Sequence, residues 1–332
     1  MNELLIVKNL KMYFPCSKGF FQKSPLSVKA VDDVSFSVRQ GTTYGLVGES
    51  GCGKTTTAKC VLHIHKPTAG KIIFDGNNIA DYSERQLKSV RRQIQLIFQD
   101  PYGSLNPRQT VRTILKDALV EEKSQHLSAA LLDDRIKELI TLVELSPDMI
   151  DRYPHEMSGG QRQRVGIARA LACNPKLIVC DEPVSALDVS IQAQIINLFK
   201  ELQKKFGLTY LFIAHDLAVV RHIADEIGIM YLGHIVETIT ADDLFTHAVH
   251  PYTKSLLSAV PIVNYDEEHK RTRIVLEGEV PSPLRAPKGC PFHPRCPWAC
   301  AKCEQSMPSM EQVEEGHQVA CHNWQAVSAK NV

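Results

Sequence analysis

The chain opens with short apolar runs that are separated by polar and glycine-containing turns. Short runs of this kind are typical of β-strands, whose side chains alternate across a sheet or are buried on both faces. The runs that predict strands before residue 90 lie at 5–7, 34–38, 43–47 and 71–74. Two stretches lack this pattern: 16–29, which predicts a loop, and the charged stretch 83–92.

From residue 91 to about residue 170 the apolar residues recur instead at intervals of three and four. That spacing places them on one face of a helix, so 111–120 and 127–145 are predicted to be amphipathic helices. Apolar strands return at 177–180, around Tyr210 and at 227–231. Strands that are interrupted by a helical block predict an α/β fold.

A glycine-rich loop follows the strand predicted at 43–47. Its sequence matches the phosphate-binding pattern G-x-x-x-x-G-K-[ST], in which small residues let backbone N–H groups approach phosphates closely. The loop consists of Gly48, Glu49, Ser50, Gly51, Cys52, Gly53, Lys54 and Thr55. A helix predicted at 55–63 would direct its positive end at a triphosphate, Lys54 would reach the β- and γ-phosphates, and the Thr55 hydroxyl would bind Mg²⁺. A glycine-rich turn without a ligand is the alternative, which the flanking strand and helix disfavour.

Two carboxylates, Asp181 and Glu182, end the apolar run at 177–180. The run is too short for a buried helix and suits a central parallel strand, so Asp181 would emerge at the sheet edge where ligands bind in α/β folds. There it would hold Mg²⁺ through water. Glu182 would point to the opposite face of the extended chain and orient or deprotonate the attacking water. A solvated strand end is the alternative for such a pair, and the phosphate loop disfavours it.

Over roughly residues 4–260 the chain resembles the nucleotide-binding subunits of ATP-binding cassette (ABC) transporters. The resemblance rests further on a signature motif, in which Met157 stands where the family usually has leucine. It implies that Ser158, Gly160 and Gln161 of this motif contact a nucleotide held by a neighbouring subunit. Two ATPase subunits would therefore form a head-to-tail dimer in which each completes the other's phosphate loop.

The same resemblance assigns roles to single residues. It implies that Gln99 meets Mg²⁺ and senses the transport domain, and that Asp188 belongs to a dimer-contact loop. His215, which follows the strand around Tyr210, resembles the switch histidine that contacts the γ-phosphate. Thr56 joins the loop residues expected to bind ATP.

Two further expectations concern nucleotide recognition. The glycines of the signature would expose backbone amides at a helix start, where Arg162 and Arg164 would add positive charge to a second anion site.

Family members stack adenine on an aromatic residue near the end of the first strand, for which Tyr13 and Phe14 are candidates. The family register of Asn9 favours Phe14, and an aromatic residue that only packs the first sheet is the alternative.

The C-terminal segments indicate which group within this family the chain resembles. Segments 250–257, 278–283 and 289–297 closely resemble the C-terminal extension of dipeptide and oligopeptide permease ATPases, which nickel and glutathione importers share. This implies an ATPase that energises import from the cytoplasmic face of the membrane, with peptides favoured and nickel, glutathione or another small solute as alternatives. The implied partners are a second ATPase subunit, with a heterodimer favoured, two transmembrane permease subunits and an external substrate-binding protein. The turn-rich segment 100–107 would form the groove for a permease helix.

Five of the ten cysteines lie in the last 43 residues. The resemblance assigns four of them to a metal site, namely Cys290, Cys296, Cys303 and Cys321. A [4Fe-4S] cluster is favoured, tetrahedral Zn²⁺ is the alternative, and a site without metal stays open. Cys300 departs from the family pattern because it forms a C-x-x-C pair with Cys303 and could replace it.

Composition narrows the function classes. Lys and Arg number 38 against 37 Asp and Glu, so a basic stripe for nucleic acid is disfavoured. No apolar run approaches the roughly 18 residues that span a bilayer and the first residues lack a signal-peptide pattern, so a cytoplasmic chain that reaches the membrane through partners is expected. One alternative is a soluble ABC ATPase of DNA repair or translation, which would usually carry coiled-coil insertions or two cassettes and is therefore disfavoured. A second is a regulatory subunit that barely hydrolyses ATP, which would lack Glu182 or His215 and is disfavoured because both are present.

The predicted fold class is α/β, a P-loop NTPase core of the ABC type with a β-subdomain, a helical signature subdomain and a Cys-rich C-terminal extension. The expected parts are the core and β-subdomain at 1–90, the helical subdomain at 91–170, the remaining core at 171–260 and the extension at 261–332.

Overall fold

The computed structural model describes residues 2–16, 27–122, 128–261 and 273–329. Its strands are β1 (Glu3–Pro15), β2 (Ser27–Arg39), β3 (Thr43–Val47), β4 (Ala69–Phe74), β5 (Asn77–Asn78), β6 (Ile94–Ile97), β7 (Leu177–Asp181), β8 (Thr209–Ala214), β9 (Glu226–Tyr231), β10 (His234–Thr240), β11 (Glu311–Glu314) and β12 (His317–Val319). Its helices are α1 (Lys54–Val61), α2 (Glu84–Gln93), α3 (Pro101–Ser104), α4 (Val111–Glu122), α5 (Ala129–Leu142), α6 (Gly159–Ala172), α7 (Val189–Phe206), α8 (Leu217–Ile223), α9 (Leu244–His247), α10 (Pro251–Ala259), α11 (Ala301–Gln305) and α12 (Trp324–Ala329). Short 3₁₀ turns lie at Pro147–Asp151, Pro154–Glu156, Pro283–Arg285 and His293–Arg295.

The chain divides into two compact units. The first comprises Met1–Leu5, Val38–Thr43 and Phe74–Ile213, and the second comprises Ile6–Ser37, Tyr44–Ile73 and Ala214–Val332. The division into parts at 1–90, 91–170, 171–260 and 261–332 follows the family's subdomains and stays a prediction.

The first unit is built on the parallel strands β6, β7 and β8. Leu177 of β7 pairs with Ile94 on one side and with Thr209 on the other. The residues of β7 are buried as far as Asp181, as the continuous apolar run predicts for a strand with neighbours on both sides. Helix α6 packs against α3, α4 and α5 and also contacts β6, so a helical layer carries the signature region.

The second unit contains β3, the strand that leads into the glycine-rich loop. β3 runs parallel to β9, with Val47 beside Ile229. Beyond β9, the sheet continues with β10, β12 and β11, each of which is antiparallel to the strand before it. Because Glu237 of β10 pairs with Val319, the end of the chain joins the sheet that holds β3. Strands β2, β1 and β4 follow one another in a separate sheet.

The existence of the predicted strands and of helices α1, α4 and α5 is confirmed, and their bounds shift by a few residues. β1 and β2 are longer than expected, because each also contains partly exposed residues that interrupt the apolar pattern. Residues 17–26 of the predicted loop 16–29 lie outside the described residues, and 27–29 belong to β2, so the loop prediction is wrong there. Leu127, where a helix was predicted to begin, also lies outside them.

The charged stretch 83–92 forms helix α2, which the apolar pattern does not predict. Its buried residues are Leu87 and Val90, too few to give a clear period. A capping box starts the helix, since the Ser83 N–H donates to Gln86 Oε1 at 3.0 Å. In the parts of the chain that the structure describes, every helix is too short or too polar to cross a bilayer.

Candidate active site

The glycine-rich loop at 48–55 connects β3 to α1, as predicted. Gly51 and Gly53 have φ angles of 81° and 111°, in the left-handed region that favours glycine. A Cβ at Gly48 would lie 2.1 Å from the carbonyl oxygen of Met230, and one at Gly53 would lie 2.2 Å from that of Ala30. Both overlaps are with backbone atoms, so the loop has no room for larger residues at these positions.

Lys54 lies at the centre of this loop and is only 4% exposed. Its Nζ donates to the carbonyl oxygens of Gly48 at 2.7 Å and Glu49 at 3.0 Å. Thr55 and Thr56 follow in the first turn of α1 and are half-buried. A cation and a helix N-terminus on one loop form an arrangement that suits a polyphosphate.

Glu49, Ser50 and Cys52 complete the loop. The Glu49 N–H donates to the Tyr252 hydroxyl at 2.9 Å, and its carboxylate pairs with Arg295 at 3.0 Å. Ser50 is exposed, whereas burial raises the pKa of the Cys52 thiol, which therefore stays neutral. The contacts of Tyr252 and Arg295 were not predicted, because no local pattern connects residues so distant in sequence.

Gln99, Asp181 and Glu182 belong to the first unit. Asp181 ends β7 and pairs with Ile213 of β8. The Glu182 carboxylate accepts a hydrogen bond from Gln99 Nε2 at 3.0 Å, so the structure brings these two predicted residues together. Glu182 has a φ of 47°, so it lies in a left-handed turn and not in the extended chain that was expected to set its direction.

The signature region starts helix α6. The Ser158 N–H donates to Gln161 Oε1 at 2.9 Å, and the Gln161 N–H donates to Ser158 Oγ at 3.3 Å, which is a capping box. A Cβ at Gly160 would lie 2.7 Å from Cγ2 of Ile191, so α7 limits the size of the residue at this position. Asp188 is the exposed N-cap residue of α7. The signature and the predicted dimer-contact loop are therefore neighbours.

Arg162 and Arg164 do not contribute to an exposed anion site, and that expectation is wrong. Both side chains are buried. Arg162 Nε donates to the carbonyl oxygen of Pro154 at 2.7 Å. Arg164 Nη1 donates to the carbonyl oxygen of Val143 and pairs with Glu144, both at 2.7 Å. These guanidinium groups hold α6 against the preceding segments of the helical layer.

The remaining predicted nucleotide contacts belong to the second unit. His215 is exposed and directly follows β8. Tyr13 and Phe14 lie near the end of β1 and point to opposite faces, as adjacent strand residues do. Burial and the hydrogen bond that the Tyr13 hydroxyl donates to Asp32 raise the pKa of Tyr13. Phe14 packs edge-on against His65 with a centroid distance of 5.4 Å, and it stays the predicted adenine contact.

The four cysteines assigned to a metal site lie close to one another in the tail. Burial raises the pKa of Cys296 and Cys321 to about 12, and the charges of Cys290 and Cys303 act in the same direction. Four thiolates have the chemistry that an iron–sulfur cluster or Zn²⁺ needs. In the described ranges, however, no group of three or more His, Cys, Asp or Glu side chains could hold a metal ion as arranged. The Sγ atoms of Cys300 and Cys303 are instead 3.5 Å apart.

A cavity of about 920 Å³ lies in the first unit, beside the turn-rich segment 100–107. Its lining includes four basic side chains, Lys88, Arg91, Arg92 and Arg169, and one carboxylate, that of Asp117. Next to it, Phe98 is 45% exposed and Tyr102 is 63% exposed. The Arg162 guanidinium stacks on the Tyr102 ring at 3.4 Å. The cavity therefore has a largely basic lining, and exposed aromatic side chains precede the lining residue Ser104 in the chain.

Comparison with known proteins agrees with these features. The family model described as "ABC transporter" matches residues 31–185, and the one described as "Oligopeptide/dipeptide transporter, C-terminal region" matches residues 236–303. The oligopeptide transport ATP-binding protein AppF of Bacillus subtilis is 52% identical over 96% of this chain and 97% of its own. The oligopeptide transport ATP-binding protein OppF of Salmonella typhimurium is 48% identical over 96% of this chain and 95% of its own.

Solved structures give the same result for the fold. The dimeric ATP-binding cassette MJ0796 bound to ADP and Pi has a TM-score of 0.64 and 28% identity, over 71% of this chain and 98% of that one. The protein cbiO1 of Clostridium perfringens, part of the ABC transporter complex cbiONQ, has a TM-score of 0.65 and 26% identity, over 74% of this chain and 92% of that one. The chain therefore belongs to the ABC transporter family, in its group of oligopeptide transport ATP-binding proteins.

Proposed function

We propose that this chain is the ATP-hydrolysing subunit of a membrane importer and that it energises the uptake of di- or oligopeptides. The observation that carries the proposal is the similarity, over nearly the full length, to oligopeptide transport ATP-binding proteins such as AppF. The glycine-rich loop around Lys54 and the hydrogen bond between Gln99 and Glu182 supply chemistry that such a subunit needs. The chain would act at the cytoplasmic face of the membrane, as a peripheral subunit.

ATP would bind through its phosphates to the loop, where Lys54 and backbone N–H groups offset the negative charge. The residues proposed to contact ATP within this chain are Phe14, Gly48, Glu49, Ser50, Gly51, Cys52, Gly53, Lys54, Thr55, Thr56, Gln99 and Asp181. Thr55 and Gln99 would hold Mg²⁺, with Asp181 acting through water. When bound, Mg²⁺ neutralises part of the negative charge of the phosphates. Glu182 would orient or deprotonate the attacking water, and His215 would contact the γ-phosphate.

Hydrolysis would need a second ATPase subunit, with a heterodimer favoured. The signature residues Ser158, Gly160 and Gln161, together with Asp188, would contact the nucleotide held by that partner. The exposed position of Ser158 at the start of α6 supports this role, since a helix N-terminus attracts phosphate. ATP binding would close the two subunits on each other, and hydrolysis would reopen them.

The basic cavity in the first unit would receive a short helix of each subunit's transmembrane permease partner. Its four cationic side chains fit a partner segment that carries carboxylates. Reversing one charge with Arg92→Glu should therefore reduce co-purification of the permease subunits. Lys200→Glu changes an exposed lysine of α7 and serves as the control. An external binding protein would deliver the solute to the permease.

The Cys-rich extension would hold a [4Fe-4S] cluster through Cys290, Cys296, Cys303 and Cys321, with Zn²⁺ as the alternative. The support is the donor chemistry of the four neighbouring thiols. Iron, sulfide and zinc analysis of the purified complex tests this role. A purified complex that contains neither iron nor zinc in stoichiometric amount would refute this role.

The decisive experiment for the function is solute-dependent ATP hydrolysis by the complex reconstituted with its permease and binding protein. Peptides should stimulate hydrolysis, and nickel and glutathione should not. If only nickel or only glutathione stimulates ATP hydrolysis, that solute and not peptides would be the transported substrate. A chain that hydrolyses ATP but never associates with membrane subunits would refute the transport role.

A further inference from the structure

A residue of the Cys-rich segment reaches the glycine-rich loop. Arg295 pairs with Glu49 through two contacts, Nη1 to Oε2 at 3.0 Å and Nη2 to Oε1 at 3.5 Å. The side chain of Arg295 is only 9% exposed, and that of Glu49 is 28% exposed. A guanidinium group this buried requires an anionic partner, so Glu49 compensates its charge.

The backbone of Glu49 is held as firmly as its side chain. Its N–H donates to the Tyr252 hydroxyl at 2.9 Å. Its carbonyl oxygen accepts from Lys54 Nζ at 3.0 Å and from the Cys52 N–H at 3.3 Å. Glu49 therefore connects the lysine at the centre of the loop to groups from the C-terminal part of the chain.

An aromatic cluster fixes the segment that carries Arg295. The Phe292 ring lies 5.2 Å from that of Tyr231 and 5.4 Å from that of Tyr252, and all three side chains are almost fully buried. The Arg295 N–H donates to the carbonyl oxygen of Phe292 at 3.0 Å, which closes a tight turn. The guanidinium group thus reaches Glu49 from a rigid base.

We propose that Arg295 is a positioning residue for ATP binding, which acts by neutralising Glu49 in the phosphate loop. This rests on the proposed function, in which the loop binds MgATP. An unpaired Glu49 carboxylate would repel the triphosphate at a partly buried position, where charges interact more strongly than in bulk water. Paired with Arg295, Glu49 adds no net negative charge to the loop and keeps its contacts with Tyr252 and Lys54.

The test compares the full chain in its complex with three variants: Arg295→Met, Glu49→Gln and the two combined. MgATP affinity is measured by nucleotide titration, and KM and kcat are measured by ATP hydrolysis. Arg295→Met should weaken MgATP binding about tenfold and raise KM similarly, with little change in kcat. Adding Glu49→Gln should restore the affinity to within about threefold of the original, because no charge is left to neutralise.

Arg285→Met is the matched control, since Arg285 is an exposed arginine of the same extension, and it should leave MgATP affinity unchanged. A double variant that binds as weakly as Arg295→Met would overturn the inference, because Arg295 would then act by holding the extension together. Unchanged affinity in Arg295→Met would also overturn it. If Arg295→Met fails to fold, Arg295→Lys and Arg295→Gln decide: the lysine variant, which keeps the positive charge, should bind MgATP within about threefold of the original and the glutamine variant about tenfold more weakly, and equal affinity in the two would overturn the inference. An original complex that binds no MgATP refutes the proposed function instead.

Discussion

Gln99 donates a hydrogen bond from its Nε2 to Oε2 of Glu182 across 3.0 Å. Gln99 is exposed and directly precedes the turn-rich segment 100–107 beside the basic cavity. Glu182 is held in a left-handed turn, in which the Ser185 N–H donates to the Glu182 carbonyl oxygen at 3.3 Å. If a permease helix occupies the cavity, its movement would reach the proposed catalytic carboxylate through this one side chain. Under the proposed function, this contact would therefore be a physical route from transport to hydrolysis.

Gln99→Met should uncouple the carboxylate from that route. A hydrogen bond to a charged group contributes about 1.5–3 kcal/mol, so kcat should fall about tenfold, and KM for ATP should rise as well because Gln99 is also proposed to hold Mg²⁺. Steady-state hydrolysis by the reconstituted complex measures both values. Gln93→Met, which changes a half-buried glutamine at the end of α2, is the control. Equal kinetics in the two variants would remove Gln99 from this role.

Two glycine substitutions should have opposite effects. Gly48→Ala puts a Cβ 2.1 Å from the carbonyl oxygen of Met230, so it should destabilise the loop by about 1–3 kcal/mol and weaken ATP binding. Gly166 lies inside α6, and a Cβ there meets no atom within 4 Å. Gly166→Ala should therefore raise the free energy of unfolding by about 0.5–1 kcal/mol. Denaturant unfolding checks both signs, and a destabilised Gly166→Ala would contradict the packing described for α6.

The buried pair of His317 and Glu237 should make stability depend on pH. His317 Nε2 lies 2.9 Å from Glu237 Oε1, and the side chains are 2% and 0% exposed. Burial opposes the charged imidazole, but the hydrogen bonds and charges of Glu237 and Glu314 outweigh it and raise the pKa of His317. The stabilisation is therefore fully present below the unfolded pKa of about 6.5 and is lost as pH rises through the folded value.

His317→Asn tests this by thermal unfolding across the same pH range. Breaking the pair should cost about 3 kcal/mol at pH values below the unfolded pKa, and the difference from the original chain should shrink as pH rises. Both chains keep His250, whose pKa burial lowers to about 4, so its titration contributes to the unfolding of both. A difference that stays constant with pH would show that the pair contributes no charge interaction.

Substitutions at two helix N-caps should have the same effect on stability but different effects on the rate of ATP hydrolysis. Ser158 caps α6 within the signature, and Ser128 caps α5 by accepting the Leu131 N–H. Replacing either serine by alanine should cost about 1 kcal/mol of stability. Only Ser158→Ala should also slow ATP hydrolysis, because only Ser158 is proposed to meet a partner's nucleotide. Equal turnover in the two variants would argue against the signature role.

The sequence predicts those features that local patterns encode. The apolar run before Asp181 and the glycines around Lys54 define a strand and a loop without reference to any distant residue, and both are found as expected. Helix α2 was not predicted, because it buries only Leu87 and Val90 and so shows little apolar periodicity, although a capping box marks its start.

Features that depend on distant pairing could not be predicted. Arg295 and Glu49 are 246 residues apart, and His317 and Glu237 are 80 apart. Neither pair has a local signal, because each joins segments of the second unit that are far apart in the sequence. The left-handed conformation of Glu182 is a further example, since turns that force a non-glycine residue to positive φ have no sequence pattern of their own.

The central claim is that this chain hydrolyses ATP with Glu182 while other residues bind the nucleotide. It is tested most directly by ATP binding and turnover of the complex that carries Glu182→Gln, with Glu201→Gln on the exposed face of α7 as the control. The account predicts that Glu182→Gln lowers turnover at least about 100-fold while ATP affinity stays within about threefold of the original. Turnover equal to that of the control would contradict it.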